Sequence, residues 1–265
     1  VQSAPRVTDD LVLFGDSGGR VWAYRHDGRP VWSYDAAAPV LVQPTLHDGV
    51  VYVATVDDLV LALDAETGAV AWRFQHRTDL ARRTELSLYA APPPVVLDDE
   101  LLVGFSDGTL IGLDRVRGDA RWQRRIGAGR YPDLIAAPLP ADDGSSIVFV
   151  SGYYEPFAAV DVAEGRTVWT APAGAADRPA LVEMDGTLLL VQPGTDGRLR
   201  AWEARTGDPV WTWDSGSSGA LTEPVVTEAG LLVASTDQTV ELVDVRTGKT
   251  TWTWAPDEGV DGVSV

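Results

Sequence analysis

The sequence predicts an all-β protein, a β-propeller of six four-stranded antiparallel blades, on three observations. Six of the ten tryptophans, Trp32, Trp72, Trp122, Trp169, Trp211 and Trp252, recur at intervals of 40, 50, 47, 42 and 41 residues. A glycine stands four residues ahead of each, at Gly28, Gly68, Gly118, Gly165, Gly207 and Gly248. No stretch sustains a 3.6-residue apolar period over ten residues, which leaves almost no helix. Tandem units of about 40 residues, each with several short apolar runs, are the mark of a propeller.

Each unit reads as four strands, A to D, that open behind a proline and end on the motif tryptophan. In the first unit (1–36) Pro5 leads strand A, Leu11–Phe14 and Val21–Tyr24 form B and C, and Trp32 lies on D. The second (37–78) repeats this with Pro44, Val50–Val53, Val60–Leu63 and Trp72. The third (79–127) has Pro94, Leu101–Val103, Leu110–Leu113 and Trp122. The fourth (128–173) has Pro138, Ile147–Val150, Phe157–Val160 and Trp169. The fifth (174–215) has Pro179, Leu188–Val191, Leu199–Trp202 and Trp211, and the sixth (216–256) Pro224, Leu231–Ala234, Val240–Val243 and Trp252. Residues 257–265 resemble the approach to another strand A, so they predict the start of a further strand or a tail. More than six blades are expected if blades lie outside this sequence. Val1 is not followed by a signal peptide, which reads as a mature form or an excised domain.

The recurring residues have a mechanical reading. The C–D turn needs a residue with φ > 0, hence the glycine. An acid stands eight residues before five of the tryptophans, at Asp64, Asp114, Asp161, Glu203 and Asp244, where it can cap that turn; the first unit is one residue shorter and lacks it. The tryptophan is large and flat enough to fill the wedge between neighbouring blades, with its N–H left to find a partner. These six tryptophans and six glycines are expected to be structural.

The run Ala62–Trp72 (ALDAETGAVAW) resembles the tryptophan-docking motif of the PQQ-like repeat family. Asp244, Thr247, Gly248, Lys249 and Trp252 match it as well; Ala159–Trp169 and Ala201–Trp211 match more loosely, and Gly112–Trp122 lacks the Ala and Thr. The resemblance covers essentially the whole chain and implies the propeller fold. The family includes quinoprotein alcohol dehydrogenases, BamB-like outer-membrane assembly lipoproteins and ectodomains of bacterial membrane kinases. The motif itself is structural and selects no function.

Composition narrows the chemistry. The 265 residues carry 21 basic and 39 acidic side chains, a net charge of −18, which disfavours nucleic acid and anionic membranes as partners. No apolar run is long enough to span a bilayer, so no membrane insertion is expected from this chain, and any lipid or transmembrane anchor would lie outside it. There is no cysteine and no asparagine, and Lys249 is the only lysine, a bias expected of a GC-rich genome. The calcium-bound quinone centre implied by the dehydrogenase branch needs Asn and a vicinal disulfide, so no cofactor is expected. Gly15–Gly19 (GDSGG) matches a nucleophile elbow in letters, but lies between two strands rather than between a strand and a helix. His26, His47 and His76 are scattered and show no metal-ligand spacing. The acid pairs at Asp9, Asp57, Asp98 and Asp142 lack the alternating calcium-loop pattern and read as solvated turns.

Antiparallel order sends the A–B and C–D turns to one face and the B–C and D–A connections to the other. The first face is acid-rich. The second holds the two longest connections: 75–93 with Arg77, Arg82, Arg83 and Tyr89, and 123–137 with Arg124, Arg125, Arg130 and Tyr131. Tyr153 and Tyr154 join them from the fourth unit's B–C turn. Arginine and tyrosine are the side chains that binding hot spots use, which makes these ten the candidate site for a protein or an anionic ligand. They can equally neutralise local acids such as Asp79, Glu85 and Asp133. The expected function is a non-catalytic binding scaffold, extracytoplasmic and bacterial: periplasmic, cell-surface or secreted. The alternative is a quinone- or other cofactor-dependent enzyme, or enzyme subunit, with its site at the central channel.

Overall fold

Proline lacks a backbone N–H and is tolerated at a strand's beginning. In the computed structural model each strand A begins one residue after its proline, and B, C and D follow as a meander. The structure describes residues 3–77, 92–127, 133–134, 136–141, 143–152, 157–171, 177–216 and 219–256. The first sheet comprises β1 (Arg6–Val7), β2 (Val12–Gly15), β3 (Arg20–Tyr24) and β4 (Pro30–Asp35). The second comprises β5 (Thr45–His47), β6 (Val50–Ala54), β7 (Leu59–Asp64) and β8 (Val70–Gln75), and the third β9 (Val95–Leu97), β10 (Glu100–Gly104), β11 (Thr109–Asp114) and β12 (Ala120–Arg125). The fourth holds β13 (Leu139–Pro140), β14 (Ile147–Val150), β15 (Phe157–Asp161) and β16 (Arg166–Ala171). The fifth holds β17 (Ala180–Met184), β18 (Thr187–Pro193), β19 (Arg198–Glu203) and β20 (Pro209–Asp214). The sixth holds β21 (Val225–Thr227), β22 (Gly230–Ala234), β23 (Val240–Val243) and β24 (Thr250–Trp254). Every strand pairs antiparallel with its sequence neighbours, so each sheet is a propeller blade, and the described residues contain no helix.

The B and C strands of the second to fifth sheets are apolar on both faces because each of these sheets is covered on both sides. Tyr52, Val60, Ala62 and Trp72 of the second sheet close on Leu101, Val103, Ile111 and Leu113 of the third, and the other neighbouring pairs repeat this arrangement.

The motif tryptophans shape these junctions. In each sheet the C–D ladder shifts register beside the tryptophan's partner, as between Ala62 and Leu63. Such a bulge re-aims the side chain next to it. Trp72 then projects forward: its Nε1 donates to Arg115 O at 3.0 Å, and a Cβ placed on Gly118 would lie 2.6 Å from its ring. Trp32 meets Ala65 O and Gly68 in the same way, Trp169 meets Ala204 O and Gly207, and Trp211 meets Val245 O and Gly248. These glycines thus need both φ > 0 and the absence of a side chain; Gly118 has φ 76°.

Two tryptophans depart from the expected docking. Trp122 donates within its own sheet, to Glu100 Oε2 at 3.0 Å, and its ring lies over Gly112, where four other sheets have alanine. Trp252 stands opposite Leu242, is 50% exposed, and makes no hydrogen bond through its ring among the described residues. No core cluster among the described residues joins the sixth sheet to the first, and no described blade lies beyond Trp252 for its ring to wedge against.

Candidate functional site

Of the ten candidate site residues, Arg77, Arg124 and Arg125 fall within the described part of the chain; Arg82, Arg83, Tyr89, Arg130, Tyr131, Tyr153 and Tyr154 lie outside the described residues. Arg77 follows β8, and Arg124 and Arg125 end β12, so all three sit on the B–C/D–A side of adjacent blades. They flank a single turn, Ser106–Gly108, which joins β10 to β11.

That turn is held from both directions. Ser106 Oγ donates to Asp58 Oδ2 at 3.0 Å, and His76 Nε2 lies 3.2 Å from Asp107 Oδ2. The His76 ring rests against Phe105, 4.4 Å between centroids, while its backbone N–H donates to Asp58 O at 3.0 Å. On the other flank the Ile126 N–H donates to Gly108 O at 2.8 Å, and Arg125 Nε donates to Gly127 O at 3.0 Å. Burial pushes the Asp107 carboxyl up, but the hydrogen bonds from His76 and Thr109 outweigh it and hold it at about 2. Asp107 is therefore ionised at neutral pH. Asp58 is only 3% exposed and sits at φ 60°, which corrects its reading as a solvated turn acid. Its acceptors are filled by the neighbouring blade.

The three arginines differ from most others in the chain. Arg77, Arg124 and Arg125 are exposed and form no ion pair among the described residues. On the opposite face arginines clasp the preceding blade's A–B turn: Arg115 to Asp48 at 3.1 Å, Arg205 to Asp143 at 2.8 Å, and Arg246 to Asp185. There the three turns are neutralised from within the fold, and a guanidinium group is suited to bidentate carboxylate binding.

The other candidates of the sequence resolve into structure. Gly15–Gly19 is a strand-to-strand turn closed by the Gly19 N–H to Asp16 O, and Asp16 Oδ2 accepts from Trp22 Nε1 at 2.8 Å. His26 meets Thr8 O and His47 meets Asp48, each locally. Among the described residues no three His, Asp or Glu side chains converge to hold a metal ion. Sequence reasoning missed the Asp58–Ser106 and His76–Asp107 contacts. Their only trace was the recurrence of acids and hydroxyl residues in the B–C turns.

Comparison with known proteins bears on the whole chain. The sequence profile described as outer membrane protein assembly factor BamB matches residues 1–183 and 178–264. This chain belongs to that family. BamB of Yersinia pestis is 26% identical over 234 residues, covering 85% of this chain and 56% of that protein. A putative dehydrogenase XoxF from Paracoccus denitrificans is 28% identical over 186 residues, covering 65% of this chain and 31% of that protein. The crystal structure of BamB from Moraxella catarrhalis superposes with a TM-score of 0.80 at 21% identity, covering 96% of this chain and 76% of that one, a likeness of fold. The chain spans about half the length of the BamB relatives it matches.

Proposed function

We propose that this chain is a non-catalytic scaffold of the bacterial envelope, outside the cytoplasm, that binds a protein partner through the B–C/D–A face of its second and third blades. The observation that carries this is the set of guanidinium groups of Arg77, Arg124 and Arg125, without an ion pair among the described residues, around a hydrogen-bonded turn on a chain of net charge −18. A fixed turn lets arginines meet a carboxylate surface with little ordering cost. The names of the relatives, outer membrane assembly factors, support a role in protein assembly. Arg82, Arg83, Tyr89, Arg130 and Tyr131 extend the same proposal along the two long connections, and Tyr153 and Tyr154 extend it to the fourth unit's B–C turn.

The enzyme reading rests on the likeness to XoxF. Against it stands the donor chemistry of the chain, which has neither asparagine nor cysteine.

The test is charge reversal, Arg124→Glu with Arg125→Glu and separately Arg82→Glu with Arg83→Glu, assayed against the partner recovered by crosslinking in envelope extracts. Binding at least about tenfold weaker, with circular dichroism unchanged, is expected for hot-spot arginines. Unchanged affinity places the binding surface elsewhere. A quinone chromophore in the purified protein, with dye-linked alcohol oxidation, would overturn the scaffold reading altogether.

A further inference from the structure

The junction between the third and fourth blades is built unlike its neighbours. At each of the other described junctions a ring N–H donates forward to a carbonyl in the next blade's C–D turn. Trp122 instead donates backward to Glu100 Oε2 at 3.0 Å, within its own sheet. Its ring lies so close over Gly112 that a Cβ there would stand 2.4 Å from it. The first, second, fourth and fifth sheets carry Ala23, Ala62, Ala159 and Ala201 at that ladder position, which excludes such a ring. Glu100 is steadied in turn by Arg121: Nη1 lies 3.6 Å from Oε1, while Nη2 bonds Asp99 and Asp114 at 2.7 Å each.

The fourth blade nevertheless keeps the station that a forward ring would use. Gly165 has φ 57°, and a Cβ on it would lie 3.2 Å from Trp122 Cβ and Cγ. The root of the side chain therefore reaches the turn, and only the ring turns away. Val162 O stands directly after the turn acid Asp161, as Arg115 O stands after Asp114, and accepts no hydrogen bond among the described residues. The arginine clasp is missing here too. Val162 and Ala163 stand where the other C–D turns have Arg115, Arg205 and Arg246, and Asp99 is paired inside its own blade. What joins the two blades is apolar contact, with Leu102 and Leu110 in one cluster with Val148 and Val160.

We propose that Trp122 is a two-position latch between the third and fourth blades: home over Gly112 with Nε1 on Glu100 in this structure, and docked on Gly165 with Nε1 on Val162 O in a minor state. One ring faces two complete stations, and rotation about its side-chain bonds carries it from one to the other. Home, it leaves the junction without a polar tie from the ring. Docked, it closes the junction as Trp72 closes the one before. Because β12 runs on from Trp122 to Arg124 and Arg125, the ring position sets how firmly that strand is tied to the fourth blade.

Fluorine NMR of the chain labelled with fluorotryptophan reads both positions, with Trp122→Phe assigning the signal. A minor state of about 0.1–10%, exchanging in microseconds to milliseconds, gives the Trp122 signal relaxation dispersion. Trp72 and Trp211, whose sheets have alanine in place of Gly112, should show none. Glu100→Ala and, separately, Gly112→Ala should raise the docked fraction at least about tenfold, since each removes part of the home station and the first removes a charged acceptor. Both should carry the Trp122 signal to one and the same new position. Gly165→Ala should abolish the dispersion and leave the major signal in place, and added to Glu100→Ala it should remove the new signal. That double variant replaces Gly112→Ala if the latter does not fold. A Trp122 signal without dispersion that Glu100→Ala leaves unmoved overturns the proposal. A new signal that persists when Gly165→Ala is added overturns it equally, because the ring would then be loose rather than docked.

Discussion

Replacing Trp72 by alanine separates docking from mere presence on strand D, because Trp252 occupies the same repeat position without a neighbour. Trp72 is 8% exposed, donates to Arg115 O and lies against Gly118, where a Cβ would stand 2.6 Å from its ring. Truncation removes roughly 150 Å² of buried apolar surface, about 4 kcal/mol at 25 cal/mol/Å². The lost hydrogen bond adds about 1 kcal/mol, and the sum lies at the upper end of the usual Trp→Ala cost of about 3–5 kcal/mol. Trp252 is half in water and its ring donates to nothing among the described residues, so Trp252→Ala should cost roughly 1–2 kcal/mol on the same area scale. With a urea m-value of about 3 kcal/mol/M, the midpoint falls by about 1.5 M for Trp72→Ala and about 0.5 M for Trp252→Ala. The glycines provide the reciprocal comparison. Gly118→Ala and Gly28→Ala both place a side chain at positive φ, costing about 1–2 kcal/mol, but only Gly118→Ala also drives a methyl into a ring, adding about 1–3 kcal/mol. Urea titrations at low micromolar concentration read all four. Equal midpoints for Trp72→Ala and Trp252→Ala would refute the docking argument, since the two differ chiefly in the blade that follows.

Other outcomes follow from individual contacts. Asp107 has a folded pKa of about 2 against 3.8 for a free aspartate, so its contribution is fully present above about pH 4 and is lost as the pH falls toward 2; that contribution is about 2 kcal/mol. Asp107→Asn should flatten the stability profile over that window and leave it parallel to the parent above pH 5. Ser106→Ala removes the donor to the buried Asp58 Oδ2 and should cost about 1–3 kcal/mol by urea titration. Arg246→Ala breaks a clasp between side chains more than half exposed and should leave the urea midpoint within error of the parent.

The blade count and strand order were legible because the residues that make them are local. A proline before strand A, two apolar runs and a glycine at positive φ act within some forty residues, and their recurrence reads directly as repetition. What a blade meets is not local. Trp252 carries the same glycine spacing as Trp72, yet it is half exposed because no described sheet packs on its forward side. Asp58 looks like any turn acid, and its burial depends on Ser106, forty-eight residues away on the next blade. The candidate arginines were found because the two longest connections break the repeat. That Arg115 and Arg205 are clasped, while Arg124 and Arg125 form no ion pair among the described residues, depends on which turns face them across the blade junctions.

The forward docking of Trp32, Trp72, Trp169 and Trp211 onto the following glycine turn gives the array a direction. Four of the five described seams share that design, the seam behind Trp122 being the exception. A whole repeat can then be duplicated or deleted, in evolution or by gene synthesis, without creating a mismatched seam, since stability in such arrays is close to a sum over repeats and nearest-neighbour interfaces. Blade number is free to drift under this arrangement. What limits it is the angle at which the last blade returns to the first.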